Sequence, residues 1–235
     1  MDEAPNSPEL YLFLASTAHD MKNSISVLSG TLERLLDGAP APVAPPQLAQ
    51  MAQMLYQTRR LNDNLMQLLA LYKQVGKPGY PLDVQPLAVG HVADQVAAAA
   101  RVLLESRGIT LDLDVERELL WHFDEDLIVG VVAHAINNAV HYTRDRIRLA
   151  IRQAGDCLEI RVEDNGDGYP AAMLDSAAAL GGPTCGINFL TNSSGLGLYF
   201  STEVARMHRH RDRRGALRLE NGGAFGGGCF VLTLP

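Results

Sequence analysis

Apolar residues between Leu10 and Leu36 return at steps of three and four: Leu10, Leu14, Thr17 or Ala18, Met21, Ile25, Leu28, Leu32 and Leu35. That period predicts one helix with a narrow apolar seam. The stretch "DGAPAPVAPP", Asp37 to Pro46, ends it, because a glycine followed by prolines neither continues a helix nor sits in a central strand. A second seam runs through Leu48, Met51, Leu55, Thr58, Leu61 or Asn62, Leu65, Leu68 and Tyr72, and "GKPGYP", Gly76 to Pro81, closes it. Two such helices form a hairpin with too little interior to bury both seams. Pairing with a second hairpin in a four-helix bundle covers them, so the pattern predicts a homodimer.

Beyond Pro81 the period changes. Val89 to Ser106 reads as an alanine-rich helix, "ITLDLDV" as a strand with alternating faces, and "DEDLIVGVVAHAINNAVHYT" as a largely buried helix. Strands "RIRLAIRQ" and "CLEIRVED" follow, then a glycine- and alanine-rich stretch from Gly166 to Ser194. A helix from Leu196 to Met207 and strands "ALRLEN" and "CFVLTLP" complete the chain. Helices set against a mixed sheet make a two-layer sandwich. The expected architecture is thus α + α/β, a hairpin over 8–76 followed by an α/β sandwich over 82–235.

Composition narrows the setting. The 235 residues, 47% of them hydrophobic, suffice for a medium domain plus a small one, and the net charge of −7 gives no general reason to expect nucleic acid as a partner. No apolar run approaches the roughly 20 residues of a membrane span, and the acidic, proline-punctuated start is unlike a signal peptide. Cys157, Cys185 and Cys229 are odd in number and lack the paired spacing of a zinc or dithiol site. These features predict a chain of the reducing cytoplasm, and remain compatible with a sensor or membrane part upstream of Met1.

In "STAHDMKNSIS" the seam residues Thr17 and Met21 lie about 160° from His19 around an ideal helix, so the imidazole points outward. Asp20 stands beside it, about 100° round, and Asn23 shares its polar face. Three motifs follow in order. "INNAVHYT" lies on the buried helix, "VEDNGDGYP" ends a strand, and "SSGLGLYFSTEVARMH" opens a helix. Asp164 with Gly166 and Gly168 at a strand end, Gly195 and Gly197 at a helix start whose free amides suit phosphate, and the neutral oxygen of Asn138 together describe a nucleotide pocket.

These residues resemble the transmitter region of a sensor histidine kinase of two-component signalling: "HDMKNS" is similar to the H-box, "INNAVHYT" to the N-box, "DNGDG" to the first glycine box and "SGLGL" to the second. The resemblance runs from about Leu10 to Pro235. It implies a dimerisation and phosphotransfer hairpin followed by a Bergerat-type ATP-binding domain of the gyrase, Hsp90, kinase and mismatch-repair superfamily. It also implies ATP and Mg²⁺ as cofactors and the receiver domain of a response regulator as partner. His19 becomes the phospho-accepting nucleophile, Asp20 the acid that orients the ring and takes its proton, and Asn23 the residue that positions water for dephosphorylating the regulator. Asp164 accepts a hydrogen bond from the adenine amino group, Asn138 coordinates magnesium, and Tyr142 lies beside the base. Gly166, Gly168, Gly195 and Gly197 let the backbone approach the nucleotide, and Ser176 to Ser194 form a lid.

The chain departs from the pattern at His134, where the family usually has asparagine, and at His141, where it commonly has lysine. Both stand at the phosphate and metal end of the pocket. Imidazole is a poorer Mg²⁺ ligand than oxygen and is mostly neutral at pH 7, so weaker phosphate neutralisation is expected. "RHRDRRG" replaces paired glycines and reads as a solvated, arginine-rich helix end. Two rivals to an autophosphorylating kinase are a histidine phosphotransferase relay module that has lost ATP and a non-kinase ATPase of the same superfamily.

Overall fold

The computed structural model describes Ile25, Leu28, Thr31, Met54, Thr58, residues 82–174 and residues 196–235. The chain divides into two compact units, Met1–Tyr80 and Pro81–Pro235. In the first, all five described residues are helical. The Thr58 hydroxyl donates to the Met54 carbonyl over 2.8 Å, and Leu28 of the predicted seam is exposed. The turn at Asp37–Pro46 lies outside the described residues.

The second unit begins with a short ladder in which β1 (Gln85–Ala88) pairs antiparallel with β3 (Leu120–Phe123). Neither strand is evident in the apolar pattern, since each is four residues long and only Phe123 of the eight is buried. Between them lie helix α1 (Val89–Arg107) and strand β2 (Thr110–Val115). Gly108 ends α1 in the left-handed region (φ 65°), where its amide reaches back to the Leu104 and Glu105 carbonyls.

Helix α2 (Glu125–Tyr142) starts at Asp124, whose Oδ1 accepts from the Leu127 amide at 3.1 Å. Its buried residues, Leu127, Ile128, Val131, Val132, Ala135, Ile136, Ala139 and Val140, recur at three- and four-residue steps and form one stripe. The main sheet runs β2–β4–β5–β9–β8, with β4 (Arg146–Ala154), β5 (Cys157–Asp164), β8 (Ala216–Gly222) and β9 (Gly227–Leu234). Only β2 and β4 pair in parallel, and the other neighbours are antiparallel. The mixed sheet and its helices agree with the expected two-layer sandwich.

Alternation fixes the faces of this sheet. Leu158, Ile160 and Val162 of β5 are buried and pair with Leu234, Leu232 and Phe230 of β9. The alternate residues of β5 face the other way: Arg161 pairs with Glu163 at 2.9 Å and with Glu220 of β8 at 3.4 Å. Helix α3 (Leu196–Met207) matches its predicted span. The arginine-rich segment after it is a correction to the sequence reading. It is a tight hairpin of β6 (Arg209–His210) and β7 (Arg213–Arg214), with Arg211 at φ 57° in its turn. The helix stops because His208 turns inward, 3% exposed, where its Nδ1 donates to the Val204 carbonyl at 2.8 Å and its Nε2 accepts the Asp124 amide at 3.0 Å.

Candidate functional site

Asp164 is the last residue of β5 and continues the buried alternation of Leu158, Ile160 and Val162, so its carboxylate opens on the interior face at the strand end. It is 6% exposed. Oδ1 accepts two backbone amides, from Gly166 at 2.7 Å and from Gly228 at 3.1 Å. Among the described residues no donor is paired with Oδ2. A buried carboxylate with one oxygen held and the other open is fitted to receive an N–H from a ligand.

The backbone crowds this carboxylate. A β-carbon on Gly227 would lie 2.4 Å from Asp164 Oδ1, and one on Gly228 would lie 2.8 Å from Oδ2 and 3.2 Å from the Tyr169 ring. Tyr169 therefore flanks the open oxygen, and its burial, with the Asp164 charge nearby, raises its phenol pKa. Its backbone is held by Asn221 of β8, whose Oδ1 accepts the Tyr169 amide at 2.7 Å and whose Nδ2 donates to the Tyr169 carbonyl at 2.9 Å. The turn before β9 is fastened by Glu163, which accepts the Ala224 amide at 3.3 Å.

A β-carbon on Gly166 would lie 2.1 Å from the Tyr142 carbonyl oxygen, so the first glycine turn crosses the end of α2. Asn165 fixes that crossing: its Oδ1 accepts from the Thr143 hydroxyl at 2.8 Å and from the Arg144 amide at 3.1 Å. On α2 itself, His134, Asn138 and Tyr142 stand at four-residue steps on one side of the helix. His134 Nε2 and Asn138 Nδ2 are 3.0 Å apart, and burial lowers the His134 pKa to about 4. A β-carbon on Gly197 would lie 1.9 Å from that same Nε2, so the first turn of α3 rests directly on the imidazole.

The residues present fit a nucleotide with a divalent cation in one specific way. Among the described residues no group of three or more His, Cys, Asp or Glu side chains could hold a metal. The amide oxygen of Asn138 is the type of neutral donor that Mg²⁺ accepts when water and phosphate supply the rest of its shell.

Residues 123–235 match the family described as histidine kinase-, DNA gyrase B- and HSP90-like ATPase. The chain is 27% identical to the signal transduction histidine-protein kinase AfsQ2 of Streptomyces coelicolor, over 95% of its length and 41% of that protein's. It is 28% identical to the phosphate regulon sensor protein PhoR of Pseudomonas aeruginosa, over 85% and 45% of the two lengths. Residues 123–235 thus carry an ATPase domain of this type, and the chain as a whole is similar to the transmitter region of sensor histidine kinases. It spans less than half the length of these two relatives. The fold agrees with that of full-length ShkA, solved in complex with AMPPNP, at a TM-score of 0.59 and 20% identity, over 97% of this chain and 46% of that one.

Within this domain, His134, Asn138 and Gly197 come together on one side, and Asp164, Gly166, Gly168 and the backbone of Tyr142 on the other. The Tyr142 side chain is 66% exposed, and its ring lies 6.5 Å from that of His141, also exposed. Gly168 takes φ 82°, and a β-carbon there would meet the Asn221 amide oxygen at 2.8 Å. His19, Asp20, Asn23, Gly195 and the predicted lid 176–194 lie outside the described residues. Sequence reasoning missed Asn165, Tyr169, Asn221, Gly227 and Gly228. The glycine run "GGG" ahead of the last strand was an available signal for two of them, whereas nothing near Asn221 marks it as a clamp.

Proposed function

We propose that this chain is an ATP-dependent protein-histidine kinase of two-component signalling that autophosphorylates His19 and passes the phosphoryl group to an aspartate in the receiver domain of a response regulator. The observation that carries the reading is the buried Asp164 carboxylate, whose Oδ1 is committed to two backbone amides while no donor among the described residues is paired with Oδ2. An adenine amino group satisfies Oδ2. Guanine presents a carbonyl at that position and would set acceptor against acceptor. Asn138 provides the cation ligand, Gly166, Gly168, Gly195 and Gly197 permit close approach of the backbone, Tyr142 lies beside the base, and His141 stands at the phosphate end.

When bound, Mg²⁺ would neutralise charge on the β- and γ-phosphates. The chain's own chemistry is nucleophilic. One neutral nitrogen of His19 attacks the γ-phosphorus, the bond to the ADP oxygen breaks, and the proton on the other ring nitrogen passes to Asp20. Asn23 positions a water for the reverse task, dephosphorylation of the regulator. The exposed Leu28 supports a homodimer, in which a partner hairpin covers the seam. The relatives support a response-regulator partner, and the absence of a helix long and apolar enough to cross a membrane among the described residues is compatible with a cytoplasmic setting.

The test is incubation with Mg²⁺ and ATP labelled on its γ-phosphate. Label that is lost in acid and survives alkali, and that is missing from His19→Ala, is the expected result. A chain that neither binds ATP nor takes up label would instead be a relay module, and one that binds ATP yet takes up no label would be a non-kinase ATPase.

A further inference from the structure

We propose that His134 is a positioning residue: it receives the side-chain N–H of Asn138 on Nε2 and so turns the Asn138 oxygen toward the divalent cation, itself touching neither cation nor phosphate. The inference rests on the function proposed above and changes the part that a ligand-type reading of His134 would assign to it.

The first observation is the 3.0 Å contact between Asn138 Nδ2 and His134 Nε2. An amide nitrogen only donates, so Nε2 must accept and the ring proton must sit on Nδ1. With its lone pair engaged, Nε2 cannot ligate a metal. With no hydrogen, it cannot donate to a phosphate oxygen. Commitment of Nδ2 also settles the amide's orientation, because Oδ1 then points away from the imidazole, free to coordinate.

The second observation is steric and independent. A β-carbon on Gly197 would lie 1.9 Å from Nε2, 2.4 Å from Cε1 and 2.8 Å from Cδ2, so the backbone of α3 covers this edge of the ring. No ligand atom fits between them. The imidazole is held from one side by α3 and spends its acceptor on the residue one turn along α2. The glycine at 197 is thus required by His134 as well as by any bound nucleotide.

The experiment is calorimetric titration of the whole chain with ADP, in Mg²⁺ and in EDTA. Loss of an outer partner that orients a metal ligand costs about tenfold or more in metal-dependent affinity. His134→Ala is therefore expected to lose about tenfold of its affinity for ADP in Mg²⁺ while staying within about twofold of wild type in EDTA. His134→Gln, which offers an amide oxygen to the same N–H, is expected to recover part of the loss. Gly197→Ala is expected to weaken ADP binding more in the wild-type background than in His134→Ala, where the added methyl has room. Nitrogen shifts of the His134 imidazole in NMR are expected to report Nδ1–H and an unprotonated Nε2.

Equal losses with and without Mg²⁺ would reduce His134 to a packing residue and overturn the inference, as would a proton on Nε2 or an undiminished Mg²⁺ effect in His134→Ala. Wild-type chain that binds no ADP under either condition would overturn the proposed function and this inference together. Wild-type binding that responds to Mg²⁺ beside an unaffected His134→Ala would overturn this inference alone.

Discussion

At the scale of single residues, the two halves of the nucleotide site differ in how openly the sequence displays them. Asp164 was legible because the alternation of "CLEIRVED" aims its last residue inward and the following glycines demand a tight turn. Its full environment was not legible, since one of its two amide donors, Gly228, comes from 64 positions further along. That arrangement gives Asp164→Asn a sharper consequence than the loss of one ligand hydrogen bond. An amide must now put either its NH₂ against the Gly166 and Gly228 amides or its NH₂ toward the adenine amino group, and donor meets donor in both cases. A hydrogen bond to a charged group contributes about 1.5–3 kcal/mol, so ADP affinity should fall by roughly 10- to 150-fold. Calorimetry checks this, and affinity within a factor of two of wild type would remove Asp164 from base recognition.

At the scale of elements, periodicity located helices α1, α2 and α3 and the five strands of the main sheet because each carries a stripe or an alternating face of apolar residues. It missed β1, β3, β6 and β7, which are two to four residues long and mostly exposed, too short for alternation to stand out. It also missed His208, which looks like one polar residue in a basic run yet links the end of α3 to the first residue before α2. The neutral ring uses both nitrogens, so protonation must displace the Asp124 amide, and burial lowers the His208 pKa despite the opposing pull of the Val204 carbonyl and Asp124. His134, lowered to about 4 by burial, acts in the same direction. In the unfolded chain both histidines bind protons near pH 6.5, before the folded chain does. Stability is therefore full above about pH 7 and declines as pH falls through 6.5 toward the lowered folded values, by at most about 1.4 kcal/mol per pH unit for each ring. Urea unfolding between pH 7.5 and 5 should show that decline in nucleotide-free protein. His208→Gln, less stable at pH 7.5, should show a shallower one. A slope unchanged in the variant would mean that His208 titrates normally in the fold.

At the scale of the whole molecule, the functional logic divides where the chain does. The second unit, Pro81–Pro235, contains its own core of Phe123, Ile128, Ile136, Ile147, Leu149, Ile151, Leu158, Ile160, Leu232 and Leu234, all nearly inaccessible to solvent, and every described residue of the nucleotide site. A unit with its own core is expected to fold alone. The proposed nucleophile, by contrast, belongs to the other unit, whose predicted apolar seam a second copy is proposed to cover. The period of that seam was the only physical signal for it, and its handedness of pairing depends on a proline-rich turn whose path no periodicity encodes. These considerations separate binding from chemistry in one experiment. Residues 81–235 expressed alone should melt cooperatively, remain monomeric at all concentrations and bind ADP within about twofold of the full chain, because every described residue of the pocket lies within that unit. The same fragment should acquire no acid-labile label from γ-labelled ATP, although it keeps six of the seven histidines. Label on the isolated domain would place the acceptor among His91, His122, His134, His141, His208 and His210 and would remove His19 from the reaction.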